Sequence, residues 1–564
     1  YSLSSQGLCG TLVVDSINGL IGSHIAGNDD LGFSIIYPKK FLDELKAAFD
    51  DNNRYSDMDI VNVEEKDFSG LRLFNNVFES KIPISDSNFV PSELHDSLTP
   101  LVEEVGEKVP PNFKVFGSKT LLKISSKSFS PIPTIPQDEI DFAKKCISSF
   151  MIKFDQISDT EVIKGNEDLS PLNKNSVNGY GYEKDKDLYI DFPNGLPTPR
   201  FKLILDDFLN KARQDKLSIK DVLFYEAMKD ELRPIAKKDK PRSFRVAPLH
   251  HTYLVKKFLG NLFAHCRKNM WNNQIAVGIN PYLDWDTLYK HLRKNYILFD
   301  GDVGNWDGGT NSQVQDAISE IVLNFYTGED KKVLELLLSS MVRSYVLIKE
   351  RLYLSTHSMP SGCWVTAFFN SLYNRFITAL VLYREMKKDG KTATVIDFLK
   401  LTDFVLGDDK LCGSPESHAK YFNAYTVKDY FNSLGMKYTD GDKGEISSAS
   451  KPIEDLCFLK RGFRFHKSLK KIVGPLSLTT LYNTLRYYDG SKEYDDAMEG
   501  KLTAFQYEMY LHENKELLNF VMSRAENCDF PVRKFSDLHI QKSMLDPETY
   551  GNIMSALGKH NFMI

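Results

Sequence analysis

The clearest apolar and polar patterning in the chain surrounds two acidic clusters. Tyr296 to Phe299 is an apolar run suited to a buried strand, and it delivers Asp300, Asp302 and Asp307 just past its end. Further on, Phe404-Val405-Leu406 leads into Gly407-Asp408-Asp409 and then Lys410-Leu411, which predicts strand, tight acidic turn, strand. Between them an apolar helix is predicted from about Trp364, with Thr366 and Asn370 spaced i, i+4 on one face. Leu478, Leu481, Tyr482 and Leu485 fall at i, i+3, i+4 and i+7, an amphipathic helix opening a C-terminal helical lobe. Its apolar stripe is read as core. Near the N-terminus, Thr11 to Val14 and Leu31 to Tyr37 are short apolar runs between Gly-rich turns and read as β-hairpins. Residues 50–110 are acidic and polar, end at Pro110-Pro111, and read as a linker or loosely packed arm. The remainder reads as one large α-rich body with a few short strands.

Composition narrows the class. A chain of 564 residues with 42% hydrophobic and 26% charged residues has material for several cores, which excludes low-complexity disorder. The longest apolar stretch, Trp364 to Tyr383, contains Asn370, Asn374 and Arg375, so a membrane span is not expected. Seven scattered cysteines without zinc-type spacing suit reduced thiols in a cytosolic compartment. Residue 1 is Tyr and no targeting peptide is recognisable, so the chain is expected to begin partway through a longer polypeptide. The net charge of -5 does not announce a nucleic-acid binder, but Lys229 to Lys257 holds nine Lys or Arg residues against three acids. That segment is a local anion site.

Two adjacent carboxylates at a hairpin tip repel each other, and a divalent metal would offset the repulsion; a solvated acidic turn is the alternative. Thr366 and Asn370 can hydrogen-bond a ribose 2′-hydroxyl, or form a buried polar pair between helices. Gly362 permits a backbone shift in the loop before that helix. Arg233, Lys240 and Arg242 suit triphosphate contacts, with Lys237 and Lys238 competing for one further role; the alternative is a solvated charged loop.

These motifs, in this order, resemble the RNA-dependent RNA polymerases of positive-strand picorna-like viruses, and look most like those of insect iflaviruses and dicistroviruses. Asp302-x4-Asp307 matches the first palm motif, Ser361-Gly362-x3-Thr366-x3-Asn370 the second, and Gly407-Asp408-Asp409 the third. Gly435 to Lys443 resembles the fourth, Phe458 to Arg461 the fifth, and Lys229 to Arg245 the fingers motif that meets the triphosphate. The similarity runs from about Lys119 to about Arg486. It implies two Mg²⁺ or Mn²⁺ ions held by Asp302 and Asp408 with Asp409 supporting. Asp307 then turns to the ribose beside Ser361, Gly362, Thr366 and Asn370. Lys443 becomes the general acid for pyrophosphate, a surface lysine at a turn being the alternative. Lys460 and Arg461 grip the primer strand. Ser176 to Tyr182 resembles the loop where template enters, implicating Ser176 and Gly179, although relatives commonly have Pro where Gly181 stands.

The opening segment is similar to the C-terminal end of a picornavirus-type, chymotrypsin-like cysteine proteinase. Gly7-Leu8-Cys9-Gly10 matches the nucleophile motif, with Gly7 and Cys9 N–H groups as oxyanion hole, and His24 matches the substrate-pocket wall. A plain Gly-rich turn is the alternative. No general-base His precedes Cys9, so proteolysis is not expected from this chain.

The resemblance implies an α+β right-hand polymerase with an antiparallel palm sheet. Its parts are a truncated proteinase segment at 1–50, an arm at 51–110, fingers at 111–294, palm at 295–310, a fingers insertion at 311–355, palm at 356–474 and thumb at 475–564. Implied partners are RNA template and primer, NTPs, a genome-linked protein primer and other viral replication proteins, in the host cytoplasm at replication complexes. A reverse transcriptase would be expected to lack the Asp307 and Asn370 pairing; a cysteine protease rests on Cys9 alone; a non-catalytic RNA-binding protein has no need of three clustered carboxylates. Trimming the chain to begin between about Gly70 and Val109 is expected to preserve nucleotide incorporation.

Overall fold

The computed structural model describes residues 86–113, 132–348, 351–441 and 443–558, together with the backbone of strands Leu12–Asp15, Gly19–Gly27, Gly32–Ile36 and Leu71–Asn75. Its centre is a four-stranded antiparallel sheet. Thr402–Leu406 lies at one edge, followed by Asp409–Ser414, Ile297–Gly304 and Lys437–Thr439. The hairpin closes with Leu406 paired to Asp409, leaving Gly407 and Asp408 as its two-residue loop. Gly407 takes φ +65°, the positive value that such loops favour and a side chain resists.

The predicted strand differs in one respect that matters. It runs Ile297–Gly304, so Asp300 and Asp302 lie within it instead of past its end. Packed on this sheet is the helix Thr366–Lys388, which starts two residues later than the apolar pattern suggests because Trp364 and Val365 belong to the preceding turn. From Phe368 to Leu382 it is almost entirely buried, and it forms the spine of the largest apolar core.

A second sheet of five strands orders Ser243–Val246, Leu223–Met228, Tyr345–Ile348, Arg351–Ser355 and Leu71–Asn75. Its Leu223–Met228 and Tyr345–Ile348 strands are parallel. The C-terminal lobe is helical, with Leu478–Arg486, Tyr494–His512 and three further helices around their own core.

The expected loose arm between 51 and 110 is a correction. Leu71–Asn75 is an edge strand of the five-stranded sheet. Phe89–Pro91 pairs with Tyr487–Asp489, and Leu94, Leu98 and Val102 are fully buried in the C-terminal core. Lys108–Val109 pairs with Arg233–Pro234, while the Lys108 N–H donates to Asn483 Oδ1 at 2.7 Å. Residues 86–109 therefore strap the basic segment to the C-terminal lobe; their acidic, polar composition hides apolar anchors at helical spacing. The N-terminal hairpins form a three-stranded antiparallel sheet with His24 on its middle strand. Gly7 and Cys9 lie outside the described residues. Among the described residues no helix is long and apolar enough to cross a membrane.

Candidate active site

Register brings the acidic residues together. Gly301 pairs with Lys410, so Asp302 sits one step along from that pair, beside the strand that begins at Asp409. Asp302 pairs on its other side with Thr439, whose hydroxyl donates to the Asp302 carbonyl at 3.1 Å. Burial raises the pKa of Asp408, and the charges of Asp307 and Asp302 raise it further. Asp409 is likewise pushed up by burial and by Asp408 and Asp302, with Lys460 and Lys443 opposing. The carboxylates thus sit close enough to repel. No set of three His, Cys, Asp or Glu side chains among the described residues is already gathered around one metal position. The donor chemistry nonetheless fits a hard divalent ion: oxygen ligands on adjoining strands whose mutual repulsion a cation would reverse.

The acidic turn is held from below by the central helix. Gly407 N–H donates to Ser371 Oγ at 2.9 Å, and Asn374 Nδ2 donates to the Gly407 and Asp408 carbonyls at 3.2 and 3.4 Å. Lys410, fully buried, donates to Asn374 Oδ1 at 3.0 Å and pairs with Asp403 at 2.7 Å; Arg375 pairs with the same Asp403 at 3.1 Å. Sequence reasoning missed Ser371, Asn374 and Arg375 in this role. The signal was present, since Asn374 follows Asn370 by four residues on the same helical face.

Asp307 accepts a hydrogen bond from Ser361 Oγ. Asn370 is buried and its Oδ1 has no hydrogen-bond partner among the described residues. Thr366 is otherwise engaged: its hydroxyl is shared between the Pro360 and Cys363 carbonyls at 2.9 and 2.7 Å. It anchors the loop with its proton, which leaves the oxygen only as an acceptor toward a ribose hydroxyl. Gly362 donates its N–H to the Arg245 carbonyl at 2.8 Å, and a Cβ there would stand 2.2 Å from that oxygen. Only glycine fits. Arg245, treated as the end of the basic segment, is instead buried, hydrogen-bonded to Ser344, Ser355 and Ser358 and 3.5 Å from Glu226.

The basic segment folds about Glu231. Lys229, Arg233 and Arg242 approach its carboxylate at 3.4, 3.3 and 3.5 Å. Burial would raise the Glu231 pKa, but these three cations hold it below the ordinary value. Arg233 also donates to the Lys240 carbonyl at 3.4 Å, and the charge of Arg242 partly opposes the rise in the Asp408 pKa. Lys237, Lys238 and Lys240 are exposed. Lys443 is exposed at a positive φ of 73°, with its Nζ 3.4 Å from Asp302 Oδ2.

The hairpin Phe458 to Arg461 splits the expected pair. Lys460 is exposed, whereas Arg461 is sealed inside the protein with Glu508 and cannot reach a primer. The resemblance assigns this guanidinium to primer phosphate; a buried carboxylate from a distant helix claims it. In the Ser176 to Tyr182 loop, Ser176 Oγ accepts from Lys186 at 2.6 Å. Gly179 packs where a Cβ would meet Pro248 and Ala247 backbone at 2.5 and 2.6 Å. Gly181 takes φ +84°, which proline cannot adopt, so this loop follows a different path from one carrying Pro at that place.

Residues 124–529 match the family model for viral RNA-dependent RNA polymerase. The RNA1 polyprotein of Tomato ringspot virus is 25% identical over 90% of this chain, and the replicase polyprotein of Drosophila C virus 26% over 87%. The chain spans 25% and 31% of those two polyproteins. A solved Sicinivirus 3Dpol RNA-dependent RNA polymerase superposes with a TM-score of 0.70 over 84% of this chain and 97% of its own, at 19% identity. These likenesses do not single out insect viruses over plant viruses. The chain belongs to the family of viral RNA-dependent RNA polymerases and is a polymerase domain homologous to picorna-like replicases.

Proposed function

We propose that this domain copies RNA by adding nucleotides from NTPs to a primer 3′ end, with the central sheet as palm, residues 132–294 within the fingers and the C-terminal lobe as thumb. The observation that carries the reading is the register that sets Asp302, inside its strand, beside the hairpin bearing Asp408 and Asp409, together with the mutual repulsion of these carboxylates and the Asp307–Ser361 pair. Asp302 and Asp408 would hold Mg²⁺ or Mn²⁺, with Asp409 supporting. Two such ions, when bound, supply positive charge to the attacking and leaving oxygens of the displacement. Arg233, Lys240 and Arg242 orient and neutralise the triphosphate. Asn370 Oδ1 accepts the ribose 2′-hydroxyl proton, and the Asp307–Ser361 pair fixes the sugar edge. Lys443 gives a proton to the departing pyrophosphate, and Lys460 holds the primer backbone.

Three further elements belong to the same reading: the tyrosine of a genome-linked protein as alternative primer, work alongside other replication proteins in the host cytoplasm, and residues 1–50 as the end of a proteinase. Primer extension on a homopolymeric RNA template tests the core of it. Product should form with Mg²⁺ or Mn²⁺ and NTPs and stop on adding EDTA. Extension that persists in EDTA, or that uses dNTPs as readily as NTPs, would count against it.

A further inference from the structure

Asp300 and Asp302 share a strand and a face, being two residues apart, yet their surroundings differ. Asp302 remains partly accessible, whereas the Asp300 side chain is wholly enclosed. Asp300 Oδ1 accepts the Gly441 N–H at 3.3 Å and faces Lys451 Nζ at 3.1 Å; Oδ2 accepts the Cys457 N–H at 2.6 Å. Lys451 bridges onward to Asp440 and is itself tied down, its N–H donating to the Leu298 carbonyl at 2.7 Å. Asp440 closes a tight turn around Lys443, accepting the Lys443 N–H at 2.8 Å and donating to the Gly444 carbonyl at 3.0 Å. Gly441 is needed for the approach, since a Cβ would lie 2.8 Å from Asp300 Oδ2. Lys443 sits on this turn at positive φ, with an exposed side chain paired to Asp302.

We infer that Asp300, acting with Lys451, is a positioning residue that fixes the turn carrying Lys443 and ties it to Cys457, three residues before Lys460. The carboxylate gathers one backbone N–H from each of two loops, and the ammonium couples it to Asp440. Such a buried, fully paired group sets where neighbouring loops sit more than it adds to net stability. A lysine on an exposed, strained turn gains most from that restraint. The inference rests on reading Lys443 as the proton donor to pyrophosphate.

The test is a double-mutant cycle on the whole chain, using single-turnover incorporation to separate the maximal rate from the NTP affinity, with a thermal midpoint for each variant. Lys443→Leu should slow the maximal rate by about 10²-fold, the span of a lost general acid. Asp300→Asn should slow it by about 10-fold with little change in NTP affinity, and should add nothing in the Lys443→Leu background. A Lys443→Leu enzyme as fast as wild type would remove both the donor reading and this inference. A slow Lys443→Leu enzyme in which Asp300→Asn costs the same factor again would overturn the positioning role alone and leave the donor reading standing. Should Asp300→Asn fail to fold, Lys451→Arg and Lys451→Met carry the comparison. Arginine keeps a cation between Asp300 and Asp440 and should retain the rate; methionine should not. Equal rates for those two would overturn the inference.

Discussion

Arg461 and Glu508 form a two-pronged ion pair inside the protein, with guanidinium nitrogens 2.9 and 2.7 Å from the two carboxylate oxygens. The pair joins the hairpin at Phe458 to Arg461 with the helix Tyr494–His512, and Glu508 also accepts from Tyr282 OH at 2.9 Å and Leu476 N–H at 3.1 Å. Removing one partner of such a pair leaves the other charge buried and uncompensated, which costs about 3–5 kcal/mol. Arg461→Met should therefore lower the unfolding free energy by about that amount. Lys460→Ala should leave stability unchanged and reduce the salt dependence of primer-template binding by about one phosphate contact. Denaturant titration and binding measured against salt separate the two; loss of salt dependence in the Arg461 variant at unchanged stability would contradict the assignment.

On the proposed reading, sugar selection uses Asn370 Oδ1, which has no hydrogen-bond partner among the described residues. Asn370→Ala removes one acceptor, a change of about 1–3 kcal/mol where a buried partner is left unpaired. Discrimination between an NTP and its dNTP should fall by about 10- to 100-fold, with template affinity unchanged. Single-turnover incorporation of matched NTP and dNTP measures it, and an unaltered ratio would make Asn370 a core residue.

Truncation has a sharp limit. Leu94, Leu98 and Val102 are fully buried in the C-terminal core, and each such side chain stabilises by about 1.5–3 kcal/mol. Chains starting near Gly70, which keep the Leu71–Asn75 edge strand and the strap, should retain their thermal midpoint and incorporate nucleotides. Those starting at Val109 should lose the lobe's cooperative unfolding and their activity. Equal activity across the series would show that the strap is dispensable.

Gly362→Ala places a Cβ against the Arg245 carbonyl, where nothing can yield but backbone. Overpacking of this kind costs about 1–3 kcal/mol and would shift the Ser361 loop away from Asp307. NTP affinity should weaken along with stability, read by calorimetry and steady-state kinetics. Wild-type values for both would refute the close approach.

Much of this site was legible in the sequence because its chemistry is local: carboxylates next to apolar strand runs, a dense basic segment, and polar residues at i, i+4 on an apolar helix. What escaped were relations set by distant chain. Arg461 carries the same charge as Lys460, and only the helix bearing Glu508 decides that one is buried and the other exposed. Asp300 looked like one more acidic residue of a cluster until Gly441, Lys451 and Cys457 closed on it. The strap at 86–109 hid its apolar anchors in acidic composition, and Lys410 gave no hint that Asp403, seven residues earlier, meets it across the hairpin.

The central claim is that the carboxylates of the acidic turn perform metal-dependent nucleotide transfer. It is tested most directly by single-turnover primer extension with Asp408→Asn, alongside equilibrium binding of the same primer-template. The substitution preserves shape and removes charge from a group already crowded by Asp302 and Asp307. Extension should fall by at least about 10³-fold, the scale of a lost ligand for charge stabilisation, while RNA affinity stays within a factor of about two. Extension near the wild-type rate by a folded, RNA-binding Asp408→Asn enzyme would contradict the account.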